Sequence, residues 1–155
     1  MVENIEAYWK VVFVSLLPIS ELRGGIPLAS HLGLPLWKAY LTAVTGNLLP
    51  VIPLLLSLNK LSEVFSRTRM GERFFAWLFK RTRRRAAMIE KYEAIGLMLF
   101  VAIPLPTTGA WTGCVAAVLF RIRFKYALPA IIGGVLIAGI VVSLLTYGGK
   151  SLLIQ

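Results

Sequence analysis

Two apolar regions, residues 9–58 and 92–148, flank a polar, basic stretch. In each region one hydrophobic run is continuous. Leu36–Leu58 has 23 residues, about 34 Å as a helix and enough to cross a bilayer; residues 127–147 form a similar run. The other run in each region is broken. Residues 11–34 are interrupted by Pro18, Glu21, Arg23, Gly24, Gly25 and Pro27, and residues 94–120 by Pro104, Pro106, Thr107, Thr108, Gly109 and Gly113. Proline and glycine at these positions predict hairpins that enter the apolar phase and turn back. Non-helical backbone at that depth survives only where protein or a wet cavity covers it. The two tips are therefore expected to face each other.

The halves also share a spacing. Pro18 to Lys38 is 20 positions and Pro104 to Lys125 is 21, while Lys38 to Gly46 and Lys125 to Gly133 are both 8. Each half is a broken apolar segment, an aromatic-lysine pair, then an apolar segment that starts with a small-residue step. Internal repeats of this kind are a transporter signature.

Charge selects among topologies. Of 17 lysines and arginines, ten lie between Lys60 and Lys91. If all four apolar segments crossed, Arg121, Arg123 and Lys125 would face away from that stretch. If the broken segments are re-entrant, those three join it on one side, leaving Lys10, Lys38 and Lys150 opposite. The positive-inside rule favours the second arrangement. The expected fold class is an all-α integral membrane protein: an inverted repeat of re-entrant hairpin plus transmembrane helix, with an amphipathic cytoplasmic linker. Its expected organisation is a single domain, 1–155, with a first repeat at 9–58, a basic linker at 59–93 and an inverted second repeat at 94–150. The expected location is the inner membrane, multi-pass, with the linker cytoplasmic and both termini extracytoplasmic. Leu61, Val64, Phe65, Phe75, Leu78 and Phe79 fall near helical spacing, so the linker is expected to form an interfacial helix pair broken near Gly71.

Composition agrees and narrows the chemistry. The chain is 57% hydrophobic, has one cysteine and one histidine, and contains no aspartate. No internal disulfide, metal-ligand set or cofactor is expected. The acidic start, with Glu3 and Glu6, predicts no cleaved signal peptide. Net charge is +10; Arg81, Arg83, Arg84 and Arg85 are assigned to lipid headgroups rather than nucleic acid.

Glu21 and Arg23 stand out, because one charge at bilayer depth costs ~3 kcal/mol or more and such residues usually line a pathway. Glu21 is expected to bind a proton or a cationic group, or else to form a structural pair with Arg23. Arg23 beside Gly24 and Gly25 suits a phosphate or carboxylate. Thr107 and Thr108 offer hydroxyls for a headgroup or for capping a half-helix. Trp111 is a candidate cavity wall and Asn47 an inter-helix bond or ligand contact. His31 is expected at the interface and Cys114 in packing. No catalytic residue is assigned. A lipid-phosphate hydrolase site would need a second glutamate within the broken apolar runs and a serine-arginine-serine loop, and neither is found.

The segments Leu17-Pro18-Ile19-Ser20-Glu21-Leu22-Arg23-Gly24-Gly25-Ile26-Pro27 and Ile103-Pro104-Leu105-Pro106-Thr107-Thr108-Gly109-Ala110-Trp111-Thr112-Gly113 resemble the small multidrug export protein family of bacteria and archaea. The paired hairpins also resemble the DedA superfamily, which includes polyprenyl-phosphate and phospholipid translocases. These resemblances imply a small exporter: a secondary transporter or lipid flippase, with protons as a possible coupling ion. Its substrate would be amphipathic or lipid-phosphate-like, and a homodimer is expected from the small size. The alternatives are a lipophilic-cation exporter, a scaffold that binds anionic lipid, and a polyprenyl-phosphate phosphatase-like enzyme.

Overall fold

A computed structural model describes the backbone of residues 5–66, 86–104 and 108–153, and the side chains of 5–58, 93–104 and 108–150. Among these residues the regular structure is all helix: α1 (Ile5–Leu16), α2 (Glu21–His31), α3 (Leu36–Leu48), α4 (Val51–Ser66), α5 (Ala86–Ala102), α6 (Ala110–Leu119) and α7 (Phe124–Leu153). Leu36–Leu58 and Phe124–Lys150 are long and apolar enough to cross a membrane. The first is not one uninterrupted helix. Pro50 has no N–H to offer the Gly46 carbonyl, and the chain turns at 49–50 between α3 and α4.

The two short helices α2 and α6 end in the same way. The Leu34 amide donates to the Ala29 carbonyl at 3.0 Å and that of Gly33 to Ser30 at 3.2 Å; Ile122 donates to Ala117 at 2.8 Å and Arg121 to Val118 at 3.0 Å. This is the Schellman closure, whose penultimate residue must turn left-handed. Gly33 does so at φ 79° and Arg121 at φ 52°.

Contacts along the helices give their directions. Tyr8 lies beside Lys38, and Val12 and Ser15 lie beside Gly46, so α1 and α3 run the same way. α2 returns against them, with Gly25 facing Ser15 and Ala43. In the second half Met98 and Val101 of α5 meet Gly133 and Gly134 of α7, and Gly113 of α6 meets Val101. α3 and α7 run in opposite directions: the Tyr40 hydroxyl donates to the Leu136 carbonyl at 3.2 Å, and that of Tyr147 to the Leu34 carbonyl at 2.6 Å. The halves also exchange contacts, α2 packing on α7 and α6 on α4.

The core lies where these helices meet, around Val11, Ile26, Val51, Leu55, Val101, Ile131 and Val135. Large apolar side chains also cover the outside, including Trp9, Phe13, Leu41, Ile52, Leu56, Leu144 and Leu145. A water-soluble monomer rarely shows so much contiguous apolar surface.

Two expectations change in detail. Gly24, Gly25 and Pro27 were expected to turn the first hairpin, but they lie inside α2, and the turn is made at 17–20 around Pro18. The two glycines instead permit close packing: a Cβ on Gly25 would stand 1.9 Å from the Ser15 hydroxyl, and one on Gly24 2.6 Å from the Ser20 Cβ. Gly113 likewise sits inside α6. The expected break near Gly71, and Phe75, Leu78 and Phe79, lie outside the described residues. The described backbone of α4 continues unbroken past Leu61, Val64 and Phe65.

Candidate functional site

Glu21 opens α2 with its side chain buried and its backbone at φ 46°. That conformation costs a non-glycine residue roughly 1–2 kcal/mol and is tolerated where the surroundings impose it. The surroundings here come from the other half of the chain. The Trp111 amide, in the first turn of α6, donates to Glu21 Oε1 at 3.2 Å. Gly109, just before α6, has no side chain with which to cap that helix. A Cβ at Gly109 would fall 1.8 Å from Glu21 Oε2. Glu21 therefore caps α6 from outside, placing an acid at the positive end of a helix dipole.

Two further bonds join the tips. Arg23 Nη2 donates to the Thr108 carbonyl at 3.1 Å, and Trp111 Nε1 donates to the Leu16 carbonyl at 3.1 Å. The Thr108 hydroxyl donates back to the Ile103 carbonyl, holding the second tip in shape. Each tip thus satisfies the loose backbone groups of the other.

The tips close over a cleft lined by Glu21, Leu22, Arg23, Asn47, Val101, Pro104, Thr108, Gly109, Ala110, Val135, Ala138 and Val142. Its enclosed space is about 10 Å³, room for roughly one water. Asn47 is 1% exposed, and its Oδ1 has no hydrogen-bond partner among the described residues. It stands eleven residues from either end of Leu36–Leu58, so a span of that length puts the cleft at its centre.

Of the sequence-predicted site residues, Glu21, Arg23, Thr108 and Asn47 line one cleft, and Trp111 bonds to Glu21 beside it. Gly24 and Gly25 stand further along α2. The Gly24 amide donates to the Ser20 carbonyl at 2.9 Å, so it belongs to the helix rather than to an anion-binding loop. Thr108 does not cap α6; Glu21 takes that role. Thr107, Arg81, Arg83, Arg84 and Arg85 lie outside the described residues. His31 is exposed at the end of α2. Cys114 is fully buried, its thiol directed at the Val51 carbonyl 3.9 Å away.

Sequence reasoning missed Gly109 as the seat of the Glu21 carboxylate, and Ser15, whose buried hydroxyl has no partner among the described residues. The glycine was visible in the second motif. Its function was not, because the acid it accommodates lies 88 positions away.

A protein-family model described as "Putative small multi-drug export protein" matches residues 21–141. The match begins at Glu21 and spans both tips. Comparison with curated proteins and with solved structures found no match.

Proposed function

The chain belongs to the small multi-drug export protein family, a family of membrane proteins, and from that premise we propose that it is a secondary transporter working by alternating access around Glu21 and Arg23. On this reading it is an inverted repeat of re-entrant hairpins rather than an enzyme. The reading is supported by the shared Schellman closures, by the opposed courses of α3 and α7, and by the exchange of α2 and α6 between halves. Inverted repeats with broken helices meeting near mid-depth are a recurrent carrier layout.

The single observation that carries the proposal is the acid held across the two halves: Glu21 of one tip caps α6 behind the other. Protonation weakens the carboxylate as an acceptor and removes its attraction to the helix dipole, which loosens one half from the other. A tip that parts from its partner bares Arg23 and Asn47 together. Arg23 then offers a fork for a phosphate or carboxylate, and Asn47 an amide for a neighbouring polar group. The substrate this suits is an amphipathic anion of lipid-phosphate type. The present cleft, with room for one water, corresponds to the closed state.

Reconstituted vesicles test this with labelled polyprenyl phosphate as the anionic probe and ethidium as a lipophilic cation. Glu21→Gln should stop flux of the anionic probe, and Arg23→Ala should remove its binding. Unchanged flux in Glu21→Gln would take the acid out of the mechanism. Movement of ethidium alone, abolished by Glu21→Gln and indifferent to Arg23→Ala, would support the lipophilic-cation alternative instead.

A further inference from the structure

Three buried polar atoms have no hydrogen-bond partner among the described residues: Ser15 Oγ, Asn47 Oδ1 and Ser143 Oγ. Of these residues only Asn47 lines the cleft between the tips. An acceptor taken out of water and left unpaired bears the full cost of its desolvation, so buried acceptors nearly always find a donor. The donors traced at the tips are engaged elsewhere. Arg23 Nη2 donates to the Thr108 carbonyl, the Trp111 amide to Glu21, the Trp111 indole to the Leu16 carbonyl and the Thr108 hydroxyl to the Ile103 carbonyl. Asn47 is also held in place. A Cβ on its neighbour Gly46 would fall 2.7 Å from the Val12 carbonyl, so α3 sits hard against α1 at this level.

The space beside Asn47 limits what the donor can be. The enclosed volume of about 10 Å³ is what one water needs. A cavity of that size lined only by hydrocarbon stays dry, but this one carries a carboxylate, a guanidinium and an amide. A second cation beside the Arg23 guanidinium would be repelled. The fitting occupant is small, neutral and able both to donate and to accept.

We infer that the cleft binds one water molecule, which donates to Asn47 Oδ1 and hydrogen-bonds the Glu21 carboxyl group, making Asn47 the positioning residue for the proton that Glu21 takes up. This rests on the proposed protonation of Glu21. With Glu21 ionised, the water gives one proton to Oδ1 and the other to the carboxylate. With Glu21 protonated, the carboxyl O–H donates to the water oxygen, and the bond to Oδ1 is kept. The proton comes from the aqueous phase, and the carboxyl O–H is the one covalent bond made. Arg23 is the other charged group lining the cleft, and the Cys114 thiol on α6 feels the Glu21 charge. Helices α1, α3, α4, α5 and α7 bring no titratable side chain to the lining among the described residues.

Infrared difference spectra of the purified full chain, taken between high and low pH, test this in ordinary water and in water enriched in the heavy oxygen isotope. Wild type should show a carboxyl band and, with it, a water O–H band that the isotope shifts. Glu21→Gln should lose both. Asn47→Leu, close in size but without an acceptor, should lose the water band, and Asn47→Ser, which restores an oxygen, should keep it. Ala138→Val adds bulk to the cleft wall from α7 and should expel the water with Asn47 in place, which covers the case of an Asn47→Leu chain that does not fold. A water band that survives Ala138→Val or a folded Asn47→Leu overturns the inference. So does a wild-type carboxyl band that titrates with no isotope-sensitive partner, or one that does not titrate at all. A carboxyl band displaced by sodium but not by choline overturns it too, by making a cation the occupant. These spectra need no transport: flux unchanged in Glu21→Gln would remove the carrier role of the acid and leave the water site standing.

Discussion

At the scale of single residues, the site depends on which groups lack a side chain as much as on which carry charge. Gly109→Ala would put a methyl group on the Glu21 carboxylate. The expected loss is about 1–3 kcal/mol, read as a lower melting temperature in detergent, because the obstructing atoms belong to a side chain that is itself held. Ser15 presents the opposite case. Its buried hydroxyl has no partner among the described residues, so Ser15→Ala removes an unsatisfied group and should leave the melting temperature unchanged or raise it. A fall of several degrees would show that a partner exists after all. Glu21 and Arg23 were legible in the sequence as charges in an apolar run. Gly109 as the partner of Glu21 was not, since nothing local to either position records the other.

Among the elements, the short helices α2 and α6 are held chiefly by what lies across from them. Helices of 11 and 10 residues are marginal on their own, and α6 begins without a cap of its own. Glu21→Gln keeps an oxygen that accepts the Trp111 amide, whereas Glu21→Ala leaves that part-buried donor without its acceptor. The alanine variant should therefore be less stable than the glutamine variant by about 1–3 kcal/mol, measured by thermal unfolding in the same detergent. Equal stability would remove the capping role and leave Glu21 a purely functional charge. The apolar runs that hold these helices, and the break at Pro18, were foreseeable. The first hairpin's turn was displaced from expectation, because Gly24, Gly25 and Pro27 are tolerated inside a helix when close neighbours make use of the missing bulk.

For the whole molecule, the contacts constrain which ends share a side. The Lys150 ammonium donates to the Ser30 carbonyl at 3.2 Å, and Tyr147 to Leu34, so the end of α7 sits at the end of α2. Arg121 closes the corresponding turn of the other half. In a background carrying Cys114→Ala, Gly33→Cys and Lys150→Cys should react with an impermeant thiol reagent from the same face of a sealed vesicle, and Arg121→Cys from the opposite face. Labelling of all three from one face would rule out the inverted arrangement.

Hydrophobic patterning by itself determined the all-helical class, the two long apolar runs and the two motifs that carry the family resemblance. These are properties of consecutive residues, decided by backbone dihedral preference and by transfer out of water. Only the tertiary structure decided that Glu21 caps a helix of the other half and that Asn47 shares its cleft. Those relations arise from the packing of helices far apart in the chain, where partners are set by shape and by unsatisfied hydrogen bonds rather than by spacing.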